Sequence, residues 1–547
     1  MKKNSFVDGT VIATVIIVLV KLIGMLYVIP FYRIVGTEGG ALYSYAYSIY
    51  LIFLSISSAG LPNAVSKIIS EYNALEYESA KKRAYIIARN IIMFVSIITF
   101  LILFIFAEEI GRFIIGNLQG GNTYEDIAFV IRCVAPSVLI VPFLSITKGY
   151  LQGHKFVSKS SISQLIEQVV RILIILLGSY LVLNVFNGTL KMAVGVAVSG
   201  AFFGGLCAYI YLRTIIHKNK KEFENDKTVK EIKITNKEIT KKIIMYAIPF
   251  IIINLVTDLY NFTDQILVLR ALEHMNYSTK DVEFIASSIS TWSPKICMII
   301  NSIAMGLTIG IIPNIVTAKT KGDKEEVNNK VNQSISMVFY SSLPLATGLS
   351  ILAKPVWSIF YNDNIYGSMI LSLAVFSALL ANVYMVISTI LQSLNRNKQV
   401  YLVSGLGFLT NALLDVPLML LLNHLGLNSF MGSICASIIG FSLSIFIGIR
   451  FLIKEDKVKF GSTFKNVYKA IIPAIIMYLT LFIVNHYLPF DEFSKIGAFL
   501  YIIIDVIIGA PIYLGLTYKM GVMEQVFGKS MLTRLVSKLT FGKIKLS

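Results

Sequence analysis

The chain has 547 residues, 55% of them hydrophobic and 15% charged, with 49 Lys and Arg against 31 Asp and Glu for a net charge of +18. A soluble globular protein carries about 25% charged residues, and mean hydropathy here is +0.72, so a soluble enzyme, a disordered chain and a fibrous protein are excluded. What remains is a polytopic helical membrane protein, in which a basic balance reports topology before it reports nucleic acid.

A helix crosses a ~30 Å hydrocarbon core with about 20 residues. Hydropathy predicts fourteen spans, at 10–32, 41–66, 90–107, 127–147, 160–186, 192–212, 243–269, 284–318, 331–353, 365–395, 399–423, 428–449, 470–490 and 496–518. The first follows Lys2 and Lys3 and runs to about Tyr32 without a small-residue cleavage site, so it reads as a span and not as a removable signal. Alternating strand patterns are absent, which predicts a helical bundle. With the N-terminus in the cytoplasm, Lys and Arg collect in the inner loops and acids prevail in the outer ones. Both termini are therefore expected in the cytoplasm. Cys133, Cys207, Cys297 and Cys435 lie in apolar stretches and read as small buried hydrophobes. The five histidines have no metal-ligand spacing.

The polar stretch 217–242 follows the sixth span, and similarity appears on its two sides. Leu61-Pro62-Asn63-Ala64-Val65-Ser66 matches Ile312-Pro313-Asn314-Ile315-Val316-Thr317, each at the end of the second helix of its half. Tyr150-Leu151-Gln152 resembles Ile390-Leu391-Gln392, and Ala107-Glu108-Glu109-Ile110 weakly resembles Ala353-Lys354-Pro355-Val356. Three collinear matches predict a duplicated six-helix unit. The expected organisation is an N-lobe over 1–216, a cytoplasmic linker over 217–242, a C-lobe over 243–454, two extra helices over 455–519 and a basic amphipathic tail over 520–547. Six is even, so the repeats are parallel about an axis along the membrane normal, an arrangement of transporters with the substrate site between the lobes. The Pro62-Asn63 and Pro313-Asn314 pairs read as helix punctuation or as hinges for rocking those lobes.

A charge at a span centre costs roughly 2.5–3.5 kcal/mol on insertion scales, so each needs a reason. Nine fall inside spans: Lys21, Arg132, Arg171, Lys295, Glu167, Asp258, Asp264, Asp415 and Asp505. Lys21 in the first span and Lys295 in the eighth are candidate anion ligands, or partners for Asp258 and Asp264 of the seventh. Glu167 and Arg171 have the four-residue spacing of an intrahelical salt bridge. Arg132 sits near an outer end, within reach of the interface. Asp415 and Asp505 lack partners in the sequence and are candidate protonation sites for ion coupling.

The stretch Gly36-Thr37-Glu38-Gly39-Gly40-Ala41-Leu42-Tyr43, followed by Ala59-Gly60-Leu61-Pro62-Asn63-Ala64-Val65-Ser66-Lys67, resembles the polysaccharide-exporter branch of the MATE-like (MOP) superfamily. Within that branch it is most similar to the MurJ-type lipid II flippases and the stage V sporulation protein B group. The resemblance implies a MATE-like fold of two lobes plus two C-terminal helices that shape a groove for a polyprenyl tail. It also implies transport of undecaprenyl-pyrophosphate-linked disaccharide-pentapeptide to the outer leaflet, through a cationic cavity lined by helices 1, 2, 7 and 8. Lys21 and Lys295 fall where the family has basic residues. The sequence departs from the pattern near Tyr27, where a second basic residue is replaced, and in helix 2, uncharged from Gly39 to Ser66. The implied setting is the bacterial plasma membrane, with the lipid-linked glycan, the bilayer and cell-wall synthesis machinery as partners and no nucleic acid. No cofactor or metal is expected, and the energy source is the membrane potential or a monovalent cation. The residues leave three rivals open: a flippase for another polyprenyl-linked glycan (capsule, teichoic or spore-related), a cation-coupled multidrug exporter, and a membrane glycosyltransferase or ligase. An exporter would favour acidic cavity ligands and would not need the last two spans.

Overall fold

Apolar runs of this length satisfy their backbone groups only as helices, and the computed structural model is helical wherever it has regular structure among the residues it describes. These are residue 16 and residues 19–58, 60–118, 120–154, 156–219, 234–275 and 277–527. The predicted amphipathic tail lies outside them from 528 onward, as does the centre of the polar stretch 217–242. Twelve helices among the described residues are long and apolar enough to cross a membrane. The predicted fourteen differ at two places. The first two predicted spans run together in α1 (Leu19–Ser58), broken at Gly36. There φ is 68° and ψ −170°, a left-handed conformation that glycine alone adopts cheaply. The predicted span 284–318 corresponds to the 28-residue helix Ser293–Thr320, which is not among the twelve.

Packing divides the chain into two compact units, Met1–Trp292 and Ser293–Ser547. The first contains α1, α2 (Leu61–Ala74), α3 (Glu78–Ile105), α4 (Ala107–Ile115), α5 (Tyr124–Val134), α6 (Ser137–Gly153), α7 (Val157–Leu173), α8 (Leu190–Lys218), α9 (Asn236–Glu273) and α10 (Thr279–Ser287). Wider π-helical turns extend α7 over Ile174–Gly178 and Leu181–Val185, and α10 over Ser288–Trp292. Helix starts carry side-chain caps: Thr123 and Asp126 form a reciprocal capping box on α5, Thr235 and Glu238 another on α9, and Ser278 caps α10. Each such cap stabilises its helix by about 1 kcal/mol.

The Leu61-Pro62-Asn63 motif does not close a helix. Proline cannot donate a backbone hydrogen bond, so it suits a first turn, and α2 starts afresh with Pro62 there and Gly60 at its cap. Glycines let backbones approach around this start. A Cβ on Gly149 of α6 would sit 2.4 Å from the Pro62 carbonyl oxygen, and one on Gly60 would sit 2.3 Å from that of Ala247. Leu61, Val65, Ile68 and Ile69 of α2 then bury against Leu144, Leu151 and Ala247.

The second unit contains α11 (Ser293–Thr320), α12 (Lys324–Ile351), α13 (Ala353–Tyr361), α14 (Ile365–Ser393), α15 (Asn397–His424), α16 (Met431–Asp456), α17 (Gly461–Tyr487), α18 (Lys495–Lys519) and the short α19 (Val522–Phe527). Pro313 and Asn314 lie inside the continuous α11. The last two long helices pack on each other, α17 against α12 and α18 against α13. Asn332 of α12 fixes the first of these contacts, donating to the Lys459 carbonyl and accepting from the Thr463 hydroxyl at 2.6 Å. Their outward sides expose Phe464, Tyr468, Phe482, Phe499 and Ile507, as suits helices whose solvent is lipid. For the same reason an apolar stretch need not be buried in protein. Cys297 is buried as expected, whereas Cys207 is exposed.

Candidate functional site

The first unit holds a polar interior built on one face of α1. Tyr43, Tyr47 and Tyr50 recur at four- and three-residue spacing, so they stack along one side of the helix. Ring centroids are 5.4 Å apart for Tyr43–Tyr47 and 6.0 Å for Tyr47–Tyr50. The Tyr27 and Tyr43 hydroxyls lie 3.4 Å apart, and Trp292 closes the Tyr43 end of the ladder against Phe31, Tyr32 and Tyr43.

Opposite this ladder, Glu167 on α7 joins two cations. Its Oε1 accepts from Arg171 at 2.9 Å, one turn on, and its Oε2 accepts from Lys148 of α6 at 2.8 Å. All three are largely buried, with side chains 15%, 20% and 12% exposed, so screening by solvent is weak. Arg171, Tyr43, Tyr47 and Tyr50 line one small pocket with Val134, Ile175, Ala197, Val198 and Ala201. It has room for about one water molecule. Sequence reasoning had the Glu167–Arg171 pair from its spacing but placed Lys148 in a loop just past the fourth span, and it passed over the tyrosine periodicity, which was readable in Tyr43-Ser44-Tyr45-Ala46-Tyr47-Ser48-Ile49-Tyr50.

Asp258 of α9 approaches the same face, accepting a 2.5 Å hydrogen bond from the Ser55 hydroxyl. Tyr47 lies within electrostatic reach of Asp258, Glu167 and Arg171 together. Nearer Trp292, the Gln265 amide donates to the Ser44 hydroxyl at 2.8 Å, and Ser44 meets Thr291 at 2.7 Å in the π-helical turn. Asp264 is buried beside Gln265 on α9.

Lys21 is half-buried and forms no ion pair with any described residue, so the pairing with Asp258 or Asp264 considered from the sequence is not made. Gly24, one turn further along α1, is where this segment meets α7: a Cβ there would lie 2.9 Å from the Gln168 amide nitrogen. Arg132 bonds Glu108 at 2.9 Å, both well exposed. In the second unit Lys295 and Asp415 are buried on α11 and α15. Asp505 of α18, which lacked a partner in the sequence, accepts from Asn485 of α17 at 3.0 Å.

One buried acid was missed altogether. Glu283 of α10 is 3% exposed and accepts from the Asn122 backbone at 3.0 Å and from its side-chain amide at 3.1 Å. The same amide donates to the Glu38 carbonyl at 3.2 Å, so Asn122 ties α1 to α10. Burial pushes the Glu283 carboxyl above the usual glutamate range. Among the described residues no cluster of His, Cys, Asp and Glu could hold a metal ion.

Comparison with known proteins agrees with this architecture. The polysaccharide biosynthesis protein family matches residues 6–276, and the MatE family matches residues 249–416. The chain is 28% identical over 537 residues to a protein of Bacillus subtilis (strain 168) named lipid II flippase MurJ, covering 96% of this chain and 97% of that one. It is 21% identical over 364 residues to stage V sporulation protein B of the same organism, covering 66% of this chain and 68% of that one. Among solved structures, lipid II flippase MurJ in an inward closed conformation superposes with a TM-score of 0.63 at 16% identity, over 93% of this chain and 99% of that one. An inward-facing multidrug resistance MATE transporter gives 0.61 at 13% identity, over 81% of this chain and 99% of that one.

Proposed function

We propose that this chain, which belongs to the MATE-like transporter superfamily in its polysaccharide-biosynthesis branch, is a flippase that carries lipid II from the inner to the outer leaflet of a bacterial plasma membrane. The observation that carries the reading is end-to-end similarity to a lipid II flippase, over 97% of that protein's length. The MATE drug transporter leaves about a fifth of this chain unmatched. A drug exporter has no use for that surplus, whereas a lipid flippase needs somewhere for the tail.

The chemistry of the first unit supports an anionic cargo. A cation 4 Å from a phosphate contributes about 4 kcal/mol at an effective dielectric of 20, before desolvation is subtracted. Lys21 has no carboxylate partner among the described residues and is available to a pyrophosphate. Lysine offers a point charge and not a rigid fork, which suits a ligand that must be released. The head group crosses by alternating access while the polyprenyl tail stays in lipid, so only polar surface is transferred. Lys295 serves as a second anion ligand, the Pro62-Asn63 and Pro313-Asn314 pairs as hinges, and Asp258, Asp264 and Asp415 as the groups that couple transport to a cation gradient or the membrane potential. Both termini lie in the cytoplasm, where cell-wall synthesis machinery delivers the cargo.

A second reading, a flippase for a spore-related polyprenyl-linked glycan, is favoured by the similarity to stage V sporulation protein B. Purified protein in vesicles loaded with either lipid separates the two. Transfer of lipid II to the outer leaflet supports the first, and transfer of the other glycan lipid alone refutes it.

A further inference from the structure

Asp505 is the only charge in α18 between Lys495 at its start and Lys519 at its end, and an acid so placed needs a reason. Both α17 and α18 are long and apolar enough to cross a membrane. They approach closely beside Asp505: a Cβ on Gly509, one turn further on, would lie 3.0 Å from Leu481 of α17. Asp505 is 2% exposed. Its Oδ2 accepts from the Asn485 amide of α17 at 3.0 Å. The remaining oxygen of each group, Asp505 Oδ1 and Asn485 Oδ1, is buried with no hydrogen-bond partner among the described residues. No cation compensates the carboxylate. Tyr501, one turn earlier, donates to the Leu488 and Phe490 carbonyls at 3.3 and 3.2 Å. Lys354 of α13 pairs at 3.3 Å with Glu492 of the α17–α18 connection, where Asp491 accepts from the Phe493 N–H, and His486 of α17 is exposed. The charges of α12 all precede Gln333, which donates to the Val526 carbonyl of α19 beyond the other end of α18, and Glu524 of α19 lies there too.

Two orphaned acceptors lack a hydrogen, and a buried carboxylate without a cation lacks a positive charge; one proton supplies both. We propose that Asp505 and Asn485 form a proton-binding site between α17 and α18. The proton sits on Asp505 Oδ1 and is donated to Asn485 Oδ1, while the Asn485 amide donates to Asp505 Oδ2. The two planar groups then close an acid–amide pair with two hydrogen bonds and no net charge. A metal cation needs a shell of several oxygens, and two do not make one. A buried water donates to both oxygens but leaves the negative charge uncompensated. Release of the proton to water leaves a carboxylate beside an amide oxygen, both of them acceptors, so the pair opens and α17 and α18 loosen there. The site ties the packing of the last two long helices to proton occupancy. It stands on its own residues, independently of the cargo proposed above.

The test uses the full-length protein in nanodiscs of neutral lipid, grown with isotope-labelled aspartate. Infrared spectra at neutral pH are expected to show a carboxylic acid carbonyl band that Asp505→Asn removes. Asn485→Leu is expected to shift that band, because the acid then loses its amide partner. Hydrogen exchange of the peptide containing Asn485, corrected for the intrinsic rate at each pH, reads the contact between the helices. Opening in wild type is expected to rise by up to about tenfold per pH unit on going alkaline, the limit for release of a single proton. It is expected to stay flat in Asp505→Asn, whose neutral amide keeps a two-point pair. Spectra in which Asp505→Asn removes no acid band overturn the proposal and leave a hydrated carboxylate in its place. The same pH dependence of exchange in wild type and Asp505→Asn also overturns it. So does protection at alkaline pH that sodium or potassium restores in wild type but not in Asp505→Asn, since a metal cation then fills the site. Where Asp505→Asn fails to fold, Asn485→Leu decides: an acid band that shifts supports the site, and a spectrum unchanged from wild type overturns it.

Discussion

Replacing Glu283 with alanine should release Asn122 and loosen the connection between α1 and α10. The carboxylate accepts from the Asn122 backbone N–H at 3.0 Å, and both of its oxygens accept from the Asn122 side-chain amide at 3.1 Å, in a site where only 3% of the residue is exposed. Leaving a buried amide donor unsatisfied costs about 1–3 kcal/mol. At the upper part of that range, 2–3 kcal/mol, the protection of the Asn122 amide against hydrogen exchange falls by roughly 30- to 150-fold. The pH dependence has a definite sign. Burial raises the Glu283 carboxyl above its ordinary value of 4.5, so the closed arrangement favours the protonated acid. The contact is therefore tightest below about 4.5 and loosens as pH rises through the raised value, beyond which it stays constant. Glu283→Gln should abolish this dependence while keeping part of the protection. Hydrogen exchange of the peptide containing Asn122, corrected for the intrinsic rate at each pH, measures both effects. Unchanged protection in Glu283→Ala, or a contact that tightens as pH rises, would refute the reasoning.

Gly149→Val should destabilise the protein by about 1–3 kcal/mol, since even a Cβ there meets the Pro62 carbonyl at 2.4 Å and the helices must part; a lower thermal midpoint in detergent is the readout, and an unchanged one contradicts the packing. His154 lies just past α6, its Nδ1 2.9 Å from the Tyr150 carbonyl, and burial holds its ring at about 4 against the ordinary 6.5. The stability this gives is complete above pH 6.5 and is lost as pH falls toward 4, so His154→Gln should flatten the loss of thermal midpoint on acidification, and an equal loss in both proteins counts against it. Lys21→Ala should abolish complementation of a flippase-depleted host at normal expression. Growth at the wild-type rate would remove Lys21 from the cargo site.

Legibility in the sequence followed the range of the interaction. Spans and polar loops were readable because hydropathy is local, and the Glu167–Arg171 contact because four residues make one helical turn. Lys148 was not, since it reaches Glu167 only after α6 packs on α7, and its place at the end of an apolar run made it look like a loop residue. The Asn122–Glu283 contact joins residues 161 apart and has no local pattern. Pro62 was readable as a helix boundary, but the sequence reading made it an end where the structure makes it a start, because proline is tolerated in a first turn and also terminates what precedes it. Gly36 was legible only as a loop glycine. Its positive φ bends a nearly continuous helix where the hydropathy suggested a connecting segment between two spans.

The central claim is that this transporter delivers lipid II to the outer leaflet. The most direct measurement depletes the protein in a host carrying it as the sole flippase of this type, then adds an external enzyme that cleaves lipid II. The account predicts that the cleavable fraction collapses while total lipid II rises, and that wild-type protein but not Lys21→Ala restores it. Lipid II that stays accessible throughout depletion would contradict the account.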